Sequence, residues 1–383
     1  MPNRSVGDRL DRLRGPVPPR NYDARAIAAL TSNPGCARRA VLDAAGVDKR
    51  RLAQQVGFEA RYGQSAFAIA RGNAFERQVK ADDGAVLRKL LHEGLGVVLG
   101  EYAWTDLGEG ERAERHRRTR ELFARAYAAP EEPAALADHP MLALDVGGRT
   151  AYVEPDVVAF RTGGPADAGR RWQLAEIKSF AVIDGQADPM KVAEAATQAA
   201  VYVLALRRLL ADIGQDPDSV ATDVVLVCPK DFTNTPVAVP VDVRRQLAAV
   251  SRQLARLTRV ADLVADLDPA LTFDPALDRS GEPTRDGAQL DKAVAAIEAG
   301  YVPDCVSRCE MAFYCRAEAR AAGSTALFGR SVRDALGGVD SVPEALALAS
   351  GRTQPADDDE HAESARLLRA ARRARADALR ETG

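Results

Sequence analysis

The stretch that decides the fold reads YVEPDVVAF over 152–160, then a polar segment over 161–171, then WQLAEIKSF over 172–180. Both apolar runs are rich in β-branched residues, which predicts two strands joined by a long connection. On a strand, residues i and i+2 point to the same face, so Glu176 and Lys178 project together. If the strands pair in register, Asp156 joins them. Two carboxylates and one ammonium on one face can hold a hard divalent cation and activate a water beside it.

A plainer interpretation of these three residues stays open at this point. Carboxylates near strand ends are usually solvated, and a Glu-x-Lys pair is often a surface ion pair. The order Pro155-Asp156, a spacer of nineteen residues, then Glu176-Ile177-Lys178 nevertheless resembles the PD-(D/E)XK nuclease superfamily. The resemblance implies an α/β fold with a central mixed sheet of about five strands flanked by helices. It also implies Mg²⁺ or Mn²⁺ bound by Asp156, Glu176 and the carbonyl of Ile177, with Lys178 as the catalytic lysine.

Two helical segments strengthen this resemblance. A helical pattern begins near residue 65 and contains Gly72 and, four residues later, Glu76. This step resembles the first motif of RecB-like nucleases and implies that Glu76 also approaches the metal. Its alternative is a surface glutamate that pairs with Lys80 at i,i+4. The predicted helix after the Glu-x-Lys strand carries Gln198 and Tyr202 on one face. That pair resembles the extra motif of the RecB-type branch and implies a role in orienting the substrate or the lysine, whereas its alternative is a helix anchor.

The five cysteines divide into two kinds. Cys228 lies in an apolar run and is predicted to be a core residue. Cys305, Cys309 and Cys315 fall within eleven residues, a spacing that packing does not require and that indicates a metal or cluster site. Cys36 follows a proline–glycine turn far upstream and can supply the fourth ligand.

One early and three late cysteines around the core resemble the iron–sulfur RecB-like nucleases, such as CRISPR-associated exonucleases and the AddB nuclease domain. The resemblance implies a structural [4Fe–4S] cluster bound by these four cysteines. The first late spacing, Cys-x3-Cys, departs from the usual Cys-x2-Cys of these proteins, and zinc is the alternative occupant. The resemblance covers roughly residues 30–320.

Composition sets the remaining expectations. The chain has 383 residues, of which 46% are hydrophobic and 28% charged, and its net charge is -3. The net charge gives no indication of a nucleic-acid partner, although a local basic groove would not be visible in the net charge of the whole chain. No apolar run of about 18 residues predicts a membrane span. The N-terminus lacks an apolar signal core, so a cytoplasmic protein with no membrane partner is expected.

The predicted organisation has a flexible arm over 1–20, a RecB-like nuclease domain over 21–330 and a charged helical appendage over 331–383. The nuclease domain is expected to have a helical N-terminal portion and to be closed by the C-terminal cysteine knuckle. The expected function is a metal-dependent DNA nuclease, an exonuclease by its branch. The chain lacks the phosphate-binding loop of an ATP-driven helicase motor. Its expected DNA substrates are therefore single strands, ends or flaps, and a helicase or another protein is an expected partner. The alternatives are a non-catalytic cluster-bearing subunit and a zinc-stapled nucleic-acid-binding module.

Overall fold

The computed structural model describes most of the chain. The described ranges are 2–21, 23–33, 35–59, 66–95, 102–128, 134–146, 149–161, 171–231, 233–256, 260–354 and 359–381. The chain forms two compact units that interleave along the sequence. The first unit comprises 1–7, 19–34 and 63–265, and the second comprises 8–18, 35–62 and 266–383. The predicted boundaries at 20 and 330 therefore do not coincide with the units.

The first unit is built on a mixed β-sheet. The strands of the chain are β1 (Tyr102–Asp106), β2 (Ala134–Asp138), β3 (Leu142–Val146), β4 (Arg149–Val153), β5 (Val157–Arg161), β6 (Arg171–Ile177), β7 (Val182–Ile183), β8 (Gln186–Ala187), β9 (Asp223–Pro229) and β10 (Pro236–Asp242). Six of them form one sheet in the order β1-β2-β5-β6-β9-β10. The β1–β2 and β6–β9 pairs are parallel, and the other neighbours are antiparallel. The predicted mixed α/β architecture is confirmed, with six strands in place of about five.

Helices provide the rest of both units. They are α1 (Pro2–Arg14), α2 (Ala24–Ser32), α3 (Ala37–Ala45), α4 (Lys49–Gln55), α5 (Ala66–Leu95), α6 (Arg112–Ala128), α7 (Pro189–Asp212), α8 (Arg244–Arg256), α9 (Val260–Ala265), α10 (Gly287–Ala295), α11 (Cys305–Arg308), α12 (Ala312–Ala321), α13 (Arg330–Ala335), α14 (Val342–Ser350) and α15 (Asp359–Glu381). In the described part of the chain, none of them combines the length and hydropathy that crossing a membrane requires.

The sheet is covered on both faces because its strands alternate apolar residues between two layers. Helix α5 packs Phe75 and Val79 against Ala175, Ile177 and their neighbours on one face. Helix α7 packs on the other face, where Ala195 joins Leu226 and Cys228. Cys228 is thus a core residue, as predicted. Side chains at even positions near the end of β6 consequently point towards α7.

Local signals in the sequence account for the elements around the site. Asp188 caps α7 by accepting a hydrogen bond from the Met190 N–H, and Pro189 occupies its first turn. In α5 the helical dihedrals break at residues 81–84. Gly84 has φ +76°, and a Cβ there would meet the Trp104 ring at 2.3 Å, so this bend requires glycine.

Two predictions differ from the structure. Residues 1–20 are predicted to form a flexible arm, but α1 occupies most of that range and buries Leu10 and Leu13 three residues apart on one helix face. The run 152–160 is predicted to be one strand, but β4 ends at Val153 and β5 begins at Val157. Pro155 explains this break, since proline cannot donate a hydrogen bond to a strand partner.

Candidate active site

The hairpin of β5 and β6 brings the predicted acidic residues together. Its antiparallel register pairs Val157 with Ala175, so Asp156 and Glu176 lie opposite each other where the pairing ends. The Ile177 N–H donates a hydrogen bond of 2.6 Å to Asp156 Oδ2, which fixes the Asp156 carboxylate against β6. The long connection, residues 162–170, lies outside the described residues.

The Glu176 carboxylate is buried and only half satisfied. Its side chain is 2% exposed, and Lys178 Nζ lies 2.5 Å from Oε1. Among the described residues, Oε2 has no hydrogen-bond partner. Leaving a buried carboxylate oxygen without a partner costs free energy, on the order of 1–3 kcal/mol or more. The position of Oε2 therefore favours a cation beside it.

The Lys178 amine is held as an ammonium. Burial opposes its charge, but the Glu176 and Asp156 carboxylates outweigh burial and raise the pKa of Lys178. The amine also donates a hydrogen bond of 3.2 Å to Gln198 Oε1. A protonated lysine cannot take a proton from water, so its contribution to chemistry is a fixed positive charge and hydrogen-bond donors.

Asp156 lies in a different electrostatic setting. Although the residue keeps some solvent exposure, burial and then the nearby Glu176 charge raise the pKa of Asp156 to about 7. Two close carboxylates repel each other unless a cation lies between them. The pair is therefore costly in the metal-free chain, and a divalent cation would remove that cost.

Gln198 and Tyr202 continue the network on α7. The Gln198 Nε2 amide donates to the Tyr202 hydroxyl over 2.8 Å, while its Oε1 accepts from Lys178. Tyr202 is 4% exposed, and burial raises the pKa of its hydroxyl well above 10. The predicted pair thus lies in contact with the lysine, and the side chains form one chain of hydrogen bonds from Tyr202 to Glu176.

Glu76 lies near this group but is engaged by two cations. Lys80 Nζ lies 2.6 Å and His139 Nε2 3.0 Å from Glu76 Oε1. The hydrogen bond from His139 is the largest cause that lowers the pKa of Glu76, to about 2. The alternative prediction of an i,i+4 pair with Lys80 is observed, but both side chains belong to a network and not to an open surface. The Glu76 charge also helps to raise the pKa of Asp156.

Asp138 and His139 complete that network at the end of β2. Lys80 Nζ lies 2.6 Å and His139 Nδ1 3.0 Å from Asp138 Oδ1. Asp138 and then Glu76 raise the pKa of His139 to about 10, so the ring carries a positive charge at neutral pH. Asp106 lies close, since ligand atoms of Asp106, Asp138 and His139 all fall within 4.8 Å of one another. The Lys80 ammonium already supplies a cation to this group.

Asp138 and His139 are residues that the sequence analysis missed. β2, which positions them, is not among the strands predicted from the sequence. The available signal was an Asp-His pair directly after a short apolar run, since polar residues at strand ends often meet at one edge of a sheet. The β2–β5 pairing places Asp138 opposite Val157, next to Asp156.

These residues fit a hard divalent cation. The Asp156 and Glu176 oxygens are the donor type that Mg²⁺ and Mn²⁺ prefer, and Glu176 Oε2 lacks a partner among the described residues. Of the donor set predicted from the sequence, Asp156, Glu176 and Ile177 lie together where β5 and β6 end their pairing, whereas Glu76 is engaged by Lys80 and His139.

The pKa of Asp156 leads to a first prediction. Mn²⁺ affinity should rise with pH and level off above about 7, because the cation binds the ionised carboxylate and Asp156 ionises near that pH. Below pH 7 the affinity should fall by up to about tenfold per pH unit. Glu76, at about 2, and His139, at about 10, do not titrate in this range. Calorimetric Mn²⁺ titrations at pH 6 and 8 measure this. Asp156→Asn should abolish the dependence, and an unchanged pH profile in that variant would contradict the assignment.

The four cysteines predicted to bind a cluster share one neighbourhood of the second unit. Cys36 directly precedes α3, Cys305 begins α11 and Cys315 lies in α12. The charges of Cys309 and Cys36 both act on Cys315, and those of Cys305 and Cys315 both act on Tyr301. Burial raises the pKa of the Cys309 thiol to about 11 and that of Cys315 to about 12. Sulfur donors of this number are the ligands of iron–sulfur clusters and zinc sites. Among the described residues, however, no three of these sulfur atoms lie within 4.8 Å of one another, a wider spacing than bound zinc requires.

Buried cations surround these thiols. Arg38 Nη1 donates a hydrogen bond of 3.2 Å to Cys315 Sγ, and the Arg38 side chain is 3% exposed. Arg39 and Lys49 are buried as well and act on Cys309. These charges lower the pKa of the thiols, but burial outweighs them, so Cys309 and Cys315 remain thiols at neutral pH in the metal-free chain. A metal would have to displace their protons on binding.

No known protein family, curated protein or solved structure matches this chain.

Proposed function

We propose that this chain is a divalent-cation-dependent DNA nuclease with an active site of the PD-(D/E)XK type, acting on single strands, ends or flaps. The observation that carries the proposal is the buried Glu176 Oε2, which has no hydrogen-bond partner in the described part of the chain and lies next to a second carboxylate and a charged lysine. A scaffold has no reason to bury this arrangement, because the metal-free site stores repulsion between Asp156 and Glu176.

The residues divide the chemistry between them. Asp156 and Glu176 would hold Mg²⁺ or Mn²⁺, which when bound polarises a phosphate oxygen and lowers the pKa of a water. Lys178 donates hydrogen bonds from a fixed ammonium and stabilises the negative charge that develops on the phosphate. Gln198 holds that ammonium in place through its Oε1, and Tyr202 fixes the Gln198 amide in the required orientation.

Glu76 would complete the acidic set from α5. His139 and Lys80 keep it ionised and restrict its carboxylate through Oε1. Arg25 on α2 acts on Lys178 electrostatically and has a 59% exposed side chain, so its guanidinium is available to a phosphate from solvent as well as to its partner Glu194.

We also propose that Cys36, Cys305, Cys309 and Cys315 bind a [4Fe–4S] cluster that stabilises the second unit. The shared neighbourhood of the thiols and the buried Arg38, Arg39 and Lys49 support it. Zinc would use the same ligands, and the metal content of the purified protein distinguishes the two.

A second prediction concerns Tyr202. Tyr202→Phe should lower the cleavage rate about tenfold, because the Gln198 amide loses its partner and Lys178 loses part of its support. The melting temperature should change little, since phenylalanine fills the same buried space. Steady-state cleavage rates and thermal melts measure both effects. A large fall in melting temperature with normal specific activity would show that the pair only anchors the helix.

The test of the proposed function is a cleavage assay on end-labelled single- and double-stranded DNA with Mn²⁺, with Mg²⁺ and without divalent cation. Products should accumulate only when a divalent cation is present, and Glu176→Gln should produce none. Cleavage that persists in the chelated sample or in Glu176→Gln would assign the activity to a contaminant or to another site.

A further inference from the structure

The second unit contains a cavity of about 390 Å³ formed by residues next to Cys305 and by α12. Its size falls in the range of small-molecule sites, about 300–1,000 Å³. The lining includes Tyr301, Val306, Arg316, Arg320, Leu327 and Phe328. None of these residues takes part in the proposed cleavage chemistry, and none is a ligand of the proposed cluster.

The lining of the cavity includes two arginines. Arg316 and Arg320 are four residues apart on α12, so they share one helix face. Both act electrostatically on the Tyr301 hydroxyl. Within the described part of the chain neither guanidinium group has a carboxylate partner, in contrast to Arg38 on the neighbouring α3, which pairs with Glu318. Two free guanidinium groups over a cavity favour an anion such as a phosphate.

The rest of the lining is apolar and aromatic. Leu327 and Phe328 end a short 3-10 turn, and Phe328 is 56% exposed. Tyr301 is 6% exposed and contributes a second ring to the lining. An exposed aromatic ring in a cavity that also contains two arginines suits a ligand that has a planar face and a negative charge, because the ring stacks while the guanidinium groups bind the anion.

We propose that this cavity binds an unpaired nucleotide of a single-stranded nucleic acid, with the base against Phe328 and the phosphate at Arg316 and Arg320. The inference builds on the proposed nuclease function and adds a substrate-binding site to it. The exposed part of the Phe328 ring leaves room for a neighbouring base, which favours a strand over a free nucleotide.

The test is fluorescence anisotropy of a fluorescein-labelled oligo(dT) single strand, in the absence of divalent cation so that no cleavage occurs. Phe328→Ala should weaken binding about tenfold at unchanged salt dependence, since it removes one stack. Phe328→Trp should restore it. Arg316→Gln with Arg320→Gln should weaken binding and flatten the slope of log K against log salt by about 0.7 for each arginine. The matched control is Arg279→Gln, an exposed arginine of the same unit that lies outside the cavity lining.

Each outcome decides the inference separately from the nuclease proposal. If Arg279→Gln loses as much affinity for the strand as the cavity variants do, the inference is overturned, because the loss would then reflect the overall charge of the surface and not the cavity. Displacement of the strand by dTMP at similar concentrations would assign the cavity to free nucleotides and overturn it as well. A chain that binds the strand through the cavity but never cleaves it would refute the nuclease function and leave this inference standing. If the wild type cleaves DNA but the cavity variants bind the strand as tightly as wild type, this inference is refuted and the nuclease function stands.

Discussion

Asp156→Asn is expected to lower DNA cleavage at least 100-fold and, in the metal-free protein at pH 8, to raise the melting temperature. Asparagine keeps an oxygen that accepts from the Ile177 N–H, as Asp156 Oδ2 does now. It cannot contribute the charge that a divalent cation needs. A residue that only supports the fold would not lose activity and gain stability in one substitution, whereas an active-site residue commonly does.

The sign of the stability change follows from the pKa of Asp156. The carboxyl pKa is raised from 3.8 to about 7 in the folded chain, so the fold favours the protonated form. The stability from this preference is fully present below the unfolded pKa and is lost as the pH rises through about 7. At pH 8 the ionised Asp156 side chain therefore lowers the free energy of unfolding by on the order of 1 kcal/mol or more. Thermal melts of both proteins at pH 5 and pH 8 measure this, and the gain should be clearly larger at pH 8 than at pH 5.

The companion variants should lose activity to a similar degree. Glu176→Gln removes a metal ligand, and Lys178→Met removes the fixed ammonium, so each should lower cleavage 100-fold or more. Glu76→Gln should also impair cleavage. The matched control is Lys191→Met, at an exposed lysine of α7. Near wild-type activity in any of the three triplet variants, at Asp156, Glu176 or Lys178, would remove that residue from the mechanism.

Loss of any cluster cysteine is the second large effect. If the proposed cluster is bound, anaerobically purified wild type should be brown and contain about four irons per chain. Cys36→Ser, Cys305→Ser, Cys309→Ser and Cys315→Ser should then each lose the colour, the iron and much of the stability of the second unit. Thiolate–metal binding contributes roughly 10 kcal/mol or more in small structural sites. Closing the loop of 269 residues between Cys36 and Cys305 costs less, since loop entropy grows only logarithmically.

Visible absorbance, iron and zinc analysis and thermal melts measure the cysteine variants. Cys228→Ser is the matched control, because Cys228 packs in the core of the first unit, and it should keep both iron and colour. A colourless wild-type protein that contains zinc would remove the iron–sulfur assignment but keep the site. A fully stable Cys36→Ser would show that Cys36 does not belong to it.

The local order around β5, β6 and α7 was predictable, because each element there carries its own signal. Two runs rich in β-branched residues indicate the β5–β6 hairpin, and the Asp188-Pro189 pair indicates the start of α7. The shared face of Gln198 and Tyr202 then followed from helix geometry. The position of that face against Lys178 came only from the structure.

The elements that were missed depend on tertiary pairing. β2 reads Ala-Ala-Leu-Ala-Asp, a composition with helical propensity, and it is a strand because it pairs with both β1 and β5. Without β2, the neighbourhood of Asp138 and His139 with Glu76 was hidden. The interleaving of the two units was equally inaccessible, since it depends on long-range contacts such as the Phe273 N–H with the Leu13 carbonyl.

The central claim, that Asp156 and Glu176 form a divalent-cation site beside a charged lysine, is tested most directly by Mn²⁺ titration followed by electron paramagnetic resonance. Wild type, Glu176→Gln and Lys178→Met are compared at pH 8. We expect Glu176→Gln to weaken Mn²⁺ binding at least tenfold, and Lys178→Met to bind as tightly as wild type or more tightly, because the ammonium no longer competes for Glu176 Oε1. Equal Mn²⁺ binding by wild type and Glu176→Gln would contradict the claim.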